Sequence, residues 1–201
     1  MKKDLKVIDK INFNVEVYTQ EHTKFVENFN SGVVAFNDFI KKDALSDKEL
    51  GEGVTYVVTN TINEKDKTIK EIVAYYTIST FAVQIMDDYD YEDDSIPDEK
   101  KRIHYSPISA FLINMFAVNK KYQDTTYDGT LISDLIFMNI INHLYDISTN
   151  LVGAKSIILC SVKDAVKFYK RNHFKEFDSG MTLLDKCIDD TVPMHLPLHK
   201  Q

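Results

Sequence analysis

Apolar runs with a period of two alternate along the chain with apolar residues at helical spacing, and this alternation predicts an α/β domain. Phe13 to Tyr18 reads as a strand. Val33 to Leu45 (VVAFNDFIKKDAL) reads as a helix with Phe36, Phe39, Ile40 and Ala44 on one face. Val54 to Thr59 (VTYVVT) is β-branched and predicts a strand, NTINEKDKT a hairpin turn, and IKEIVAYYTIST a second, longer antiparallel strand. Residues 84–106 form a polar, acidic connection.

The second half continues the alternation. ISAFLINMFAV, bounded by Pro107 and Asn119, predicts a central strand buried on both faces. The loop NKKYQDTTYDG follows. TLISDLIFMNIINHLYDIS then places Leu131, Leu135, Ile136, Ile140 and Leu144 at helical spacing. SIILCS predicts another buried strand and VKDAVKFYKRN a short helix. FKEF, MTLLD and PMHLPL are strand candidates towards the end. No internal repeat or linker interrupts this order, so residues 1–201 are expected to form a single domain.

Composition narrows the function classes. At 44% hydrophobic residues the chain can fill a core, and no apolar run is long enough to span a membrane. The N-terminus MKKDLKVIDK lacks an apolar signal segment, so a cytoplasmic protein is expected. The net charge of −7, with the acidic block DDYDYEDDSIPDE, opposes nonspecific adhesion to nucleic acid. Lys163, Lys167, Lys170 and Arg171 form a local basic cluster, as do Lys120 and Lys121. Cys160, ending SIILC, reads as a buried free thiol rather than half of a bridge to Cys187. His195 and His199 read as tail residues, not as metal ligands, because Pro197 separates them. Few glycines beside many Ile, Asn, Lys and Asp suggest an AT-rich bacterial or phage coding bias.

One segment carries candidate chemistry. A phosphate-bearing ligand is held by unpartnered amides at a helix N-terminus, where the dipole also favours anions. Gln123 to Leu131 precedes the long helix, and Gly129 allows the backbone a close approach.

The string FAVNKKYQDTTYDGTLISDLI resembles the acetyl-coenzyme A signature of the GNAT superfamily of N-acetyltransferases. That signature is an apolar strand ending in Ala-Val-Asp/Asn, a basic pair, and Q/R-x-x-G-x-G/A opening a helix. DAVKFYKRNHF resembles the superfamily's A-x-x-F-Y-x-x-x-G-F element. FVENFNSGVVAFNDFIKKDAL, followed by TYVVT and IVAYYTIS, is similar to the bacterial branch that includes toxin acetyltransferases of toxin–antitoxin pairs. The resemblance spans about Phe25 to Leu198. It implies a GNAT-like central mixed β-sheet flanked by helices, acetyl-CoA as cosubstrate, and transfer of its acetyl group to an amine by direct attack.

By the same resemblance, Phe116, Ala117 and Val118 would present their main chain to the pantetheine arm. The Val118 amide would stabilise the oxyanion, and Gln123, Gly129, Thr130 and Leu131 would line the pyrophosphate site. Tyr169 would be the general acid that protonates the departing thiolate. His104 and Tyr105 would lie near the acceptor mouth, with His104 a candidate base. The resemblance also implies a homodimer and, for the toxin branch, aminoacyl-tRNA as the acceptor. The loop departs from the pattern. Gln123 is followed by Asp-Thr-Thr-Tyr-Asp before Gly129, which puts Asp124, Tyr127 and Asp128 near an anion, and His173 stands where the x-G-F turn has glycine. Two functions therefore stay open: an acetyltransferase, and a GNAT scaffold that has lost its cofactor and acts as a binding module.

Overall fold

A computed structural model describes residues 5–8, 10–64, 67–87, 95–183 and 190–199. Its elements alternate as an α/β protein. In chain order they are β1 (Lys6–Val7), β2 (Phe13–Val17), α1 (Thr23–Val26), α2 (Val34–Lys42), α3 (Ala44–Leu50), β3 (Val54–Glu64) and β4 (Lys67–Asp87). Then come β5 (His104–Val118), α4 (Lys120–Gln123), β6 (Thr125–Tyr127), β7 (Thr130–Leu131), α5 (Ile132–Asn150), β8 (Ser156–Val162), α6 (Val166–Arg171), β9 (Lys175–Glu176), β10 (Met181–Leu183) and β11 (Thr191–Pro197).

The chain divides into two compact units, 1–79 with 113–142 and 80–112 with 143–201, so that β4, β5 and α5 each contribute to both. In the first unit the strand order is β2–β3–β4–β5. The β2–β3 and β3–β4 pairs are antiparallel, the latter with a register shift at Val58/Thr59. The amphipathic stripe of α2 supplies Phe39 and Ile40, and α3 adds Ala44, to a core with Tyr18, Phe29, Val57 and Tyr75. Tyr75 lies flat against Phe39 (6.0 Å between centroids), meets Phe29 edge-on (5.4 Å) and donates its hydroxyl to the Phe36 carbonyl at 2.7 Å. A buried phenol with its donor satisfied in this way stabilises the core without an orphaned polar atom.

The second unit carries the order β5–β8–β11–β9, with β10 paired antiparallel to the end of β4. Ala110, Phe111 and Leu112 of β5 pair in parallel with Ser156, Ile157 and Ile158, and β8 is antiparallel to β11 along its whole length. A β-branched run of this kind, buried on both faces, suits a central strand. Val83, Ala110 and Ile158 centre its core.

Several boundaries differ from the expectation. The hairpin segment NTINEKDKT is mostly strand, since β3 runs to Glu64 and β4 starts at Lys67. The acidic connection is shorter than 84–106, because β4 continues to Asp87 and β5 begins at His104. Residues 88–94 of it lie outside the described residues, and Asp98–Lys100 make one 3-10 turn. Pro107 lies within β5 instead of bounding it. VVAFNDFIKKDAL is broken after Lys42, with Ala44 opening a new helix. His195 is no tail residue: it pairs with Ile158 in β11. Cys160 is disulfide-bonded, which corrects the reading of a free thiol, and Cys187 lies outside the described residues. Among the described residues no helix is long and apolar enough to cross a membrane, and no cluster of His, Cys, Asp or Glu could hold a metal.

Candidate functional site

The segment expected to bind pyrophosphate folds differently from the pattern it resembles. Asn119 leaves β5 with its N–H donated to the Val73 carbonyl (2.7 Å), and its side chain caps α4 by accepting from the Lys121 N–H at 3.2 Å. After α4, β6 and β7 form a two-residue hairpin, with Thr126 opposite Leu131 and Tyr127 opposite Thr130. Its central residues, Asp128 and Gly129, have φ of 48° and 74°. Two positive φ values in a two-residue loop are what a type I′ hairpin needs, and Asp-Gly is a preferred pair for it.

Gly129 thus closes a hairpin rather than opening a helix, and Thr130 and Leu131 are strand residues. The helix begins at Ile132. The sequence signal for this was the dipeptide Asp128-Gly129 itself. The hairpin is completed by β1, which pairs in parallel with β6. The Lys6 N–H donates to the Asp124 carbonyl and the Ile8 N–H to the Thr126 carbonyl, each at 3.0 Å. The N-terminal segment therefore pins the loop from one side.

Gln123 has a definite task. Its Nε2 donates to the carbonyls of Ser31 (2.7 Å) and Val118 (2.9 Å). An amide carries two donor hydrogens, and both are used here, so Gln123 locks the end of β5 and has no hydrogen left for a phosphate. Ala117 and Val118 are buried, and Phe116 packs on Phe137 of α5 at 5.1 Å. All of these residues, with Gly129, Thr130 and Leu131, belong to the first unit.

Lys121 does not offset Asp124 or Asp128. It forms a two-pronged ion pair with Glu71, 2.9 Å to each oxygen. The Tyr122 hydroxyl also donates to Glu71, and Asn60 donates to that hydroxyl at 3.3 Å. Tyr122 is 3% exposed. Burial, followed by the Glu71 contact, raises its phenol above the ordinary value.

In the second unit, Tyr169 sits on α6 between Phe168 (5.1 Å) and Phe174 (6.0 Å). Burial pushes its phenol up to about 12, so it holds its proton throughout the neutral range. The helix ends in a Schellman cap. The Phe174 N–H reaches the Tyr169 carbonyl and the His173 N–H the Lys170 carbonyl, each at 3.1 Å. His173, at φ 69°, adopts the left-handed conformation for which the resembling motif has glycine. Asn172 adds a side-chain bond to the Phe168 carbonyl at 3.0 Å.

Two of the four basic residues on and before α6 are ion-paired. Lys163 pairs with Asp190 and Lys170 with Glu176, each at 2.7 Å, and Arg171 lies over the Phe168 ring at 5.4 Å. His104 and Tyr105 are exposed at the start of β5.

Neither a protein-family model nor a curated protein sequence matches the chain. Solved structures do. A tyrosine-to-phenylalanine mutant of KacT aligns with a TM-score of 0.63 at 15% identity, covering 92% of this chain and 95% of that one. A tyrosine-to-phenylalanine mutant of the AtaT toxin, bound to the C-terminus of the antitoxin AtaR and acetyl-CoA, gives 0.62 at 11%, covering 92% and 93%. AtaT complexed with acetyl-methionyl-tRNAfMet gives 0.61 at 15%, covering 92% and 95%. The chain has the fold of these toxins, a central mixed sheet flanked by helices.

Proposed function

We propose that this protein is a toxin-type N-acetyltransferase that moves the acetyl group of acetyl-CoA to the α-amine of an aminoacyl-tRNA. The observation that carries the reading is the likeness of fold, over nine-tenths of the chain, to toxins captured with acetyl-CoA and with an acetylated aminoacyl-tRNA. The tRNA acceptor is preferred over a generic amine on the same ground. An antitoxin protein is the partner this reading implies, since one accompanies AtaT.

The residue roles in this reading are those the resemblance assigns, Val118 in the first unit and Tyr169 in the second. A neutral amine attacks the thioester carbonyl carbon, forming the C–N bond and placing negative charge on the carbonyl oxygen. The Val118 N–H stabilises that oxygen. Collapse breaks the C–S bond, and Tyr169, protonated because its phenol is buried, gives its proton to the thiolate. The surplus proton of the amine leaves to solvent, and solvent returns a proton to the Tyr169 phenolate, which restores the acid. The pyrophosphate is met by the N-terminal amides of α5, from Ile132 onward, where an α-helix of 19 residues directs its positive dipole end. This moves the anion contact three residues along the chain from Gly129.

The hairpin supports a second reading, a scaffold without cofactor, because Gln123 and Gly129 serve the loop's own structure. Purified protein incubated with acetyl-CoA and methionyl-tRNA decides between them. Acetyl-methionyl-tRNA as the product supports the enzyme. No product, together with no heat on calorimetric titration of acetyl-CoA, supports the scaffold.

A further inference from the structure

The first unit contains a cavity of about 620 Å³ that shares no residue with the set assigned to acetyl-CoA. Its walls come from the N-terminal segment, the β2–β3 edge, α4 and β6. That volume is in the range of small-molecule sites. The lining places Lys6, Lys10 and Lys121 around one space and includes no carboxylate among the described residues. In a chain of net charge −7 this is a local inversion of sign.

The three lysines are not equivalent. The charge of Lys121 is offset by Glu71, whose carboxylate also takes the Tyr122 hydroxyl and so fixes that wall in place. Lys6 and Lys10 form no ion pair with a described residue. Two ammoniums facing one space match the charge of a single phosphate monoester. Opposite in character are Ile8, Ile11 and Tyr127, an apolar and partly aromatic surface suited to a flat ring. Thr61 contributes a hydroxyl. A lining that combines two ammoniums with an apolar, partly aromatic surface suits a ligand with one phosphate and one planar group.

We propose that this cavity binds a free nucleoside monophosphate. A nucleic-acid strand fits less well. It needs a run of cations past the mouth, whereas β6 is bracketed by Asp124 and Asp128. Because β1 forms part of the wall and pairs with β6, occupancy also steadies the hairpin that precedes α5. The site is therefore placed to couple a nucleotide to the loop before that helix.

The test is calorimetric titration of the full chain with AMP, adenosine, inorganic phosphate and a 5′-phosphorylated tetranucleotide. AMP is expected to bind at least tenfold more tightly than any of the other three. The double variant Lys6→Ala/Lys10→Ala should weaken AMP at least tenfold at unchanged thermal stability, since both side chains are exposed. Lys10→Glu alone should do the same and serves if the double variant is unstable. AMP should still bind when acetyl-CoA is present in excess, because the two sets of residues do not overlap. The proposal is overturned by the absence of saturable AMP binding, by equal affinity for adenosine, or by tighter binding of the tetranucleotide. AMP binding that acetyl-CoA displaces, or that both lysine variants retain, overturns it as well.

Discussion

Phe174 and Tyr169 are bound to each other twice: the Phe174 N–H donates to the Tyr169 carbonyl at 3.1 Å, and their rings meet at 6.0 Å. The Schellman cap and its hydrophobic contact thus fix the residue proposed as general acid. The cap requires a left-handed residue between α6 and Phe174, and His173 fills it at φ 69°. A side chain with a Cβ costs about 1 kcal/mol in this conformation relative to glycine. His173→Gly should therefore stabilise the protein by about 0.5–1 kcal/mol, with part of the gain offset by the looser unfolded chain. Urea denaturation checks this, and a loss of stability would show that the His173 side chain has a role beyond the turn.

Tyr169→Phe keeps the ring and removes the hydroxyl. If Tyr169 is the acid, kcat should fall on the order of 100-fold while the affinity for acetyl-CoA stays within about threefold. The phenol, raised to about 12 from 10, stays protonated below pH 10 in the folded and unfolded chain alike. Its contribution to stability is complete there and is lost only as pH rises through 10 towards 12. The rate profile of the wild type should accordingly show no limb from Tyr169 below pH 10. A limb near neutrality that disappears in Tyr169→Phe contradicts the assignment.

The parts of the fold set by side-chain periodicity were legible in the sequence. The spacing of Phe39, Ile40 and Ala44 placed the buried face of α2 and α3, and Ile136, Ile140 and Leu144 that of α5, because burial acts on each of these positions separately. The loop before α5 was not legible in the same way. Read against a glycine-rich pattern, Gly129 suggested a phosphate turn, yet its neighbour Asp128 makes the pair a hairpin signal. Which of these wins depends on whether a strand is available to pair with β6. That strand, β1, lies about 120 residues away in sequence and contributes only two residues (Lys6↔Thr125 and Val7↔Thr126). Periodicity over two residues carries no information. The role of Gln123 was hidden for a related reason, since its partner Ser31 is 92 positions distant.

Glu16 provides a pH-dependent element away from the proposed chemistry. The Lys70 ammonium at 2.7 Å, and then the His22 ring at 2.9 Å, hold its carboxyl at about 2, below the ordinary 4.5. His22 is oriented for this, because its Nδ1 accepts from the Thr19 N–H at 3.2 Å and leaves the Nε2–H for Glu16. A depressed carboxyl stabilises the fold above its unfolded value and loses that contribution as pH falls through the folded one. The window is therefore pH 4.5 down to 2. Allowing for the solvent that reaches this pair, the contribution is about 1–2 kcal/mol. Glu16→Gln should lower stability by about that amount at pH 7 and by little at pH 2. Equal losses at both pH values would show that packing, not charge, is what the variant removes.

Gly129 distinguishes strain from crowding. No atom lies within 4 Å of the place a Cβ would take, so a side chain there meets open space. The cost of substitution arises from φ 74° alone. Gly129→Asn, which tolerates the left-handed region, should cost only a few tenths of a kcal/mol. Gly129→Val, β-branched, should cost about 1–2 kcal/mol. Thermal denaturation of the two variants measures the difference, and equal melting temperatures would show that the Asp128-Gly129 turn is not held in this conformation.

The bridge made by Gln123 yields the sharpest contrast between variants of equal size. Its two hydrogens hold the Ser31 and Val118 carbonyls, so the end of β5 is joined to the segment before α2 through one side-chain amide. Gln123→Met keeps the length and removes both bonds, at about 0.5–1.5 kcal/mol each. Gln123→Glu goes further, since a carboxylate oxygen replaces the donor and faces two carbonyl oxygens. That variant should lose about 2–4 kcal/mol near pH 7, more than Gln123→Met. Because Val118 is the proposed oxyanion donor, both variants should also lower kcat, in the same order as their stabilities. Urea titrations and single-turnover rates measured side by side test the link. If Gln123→Glu proves as stable and as active as the wild type, Gln123 does not position Val118, and its amide is free to serve a ligand after all.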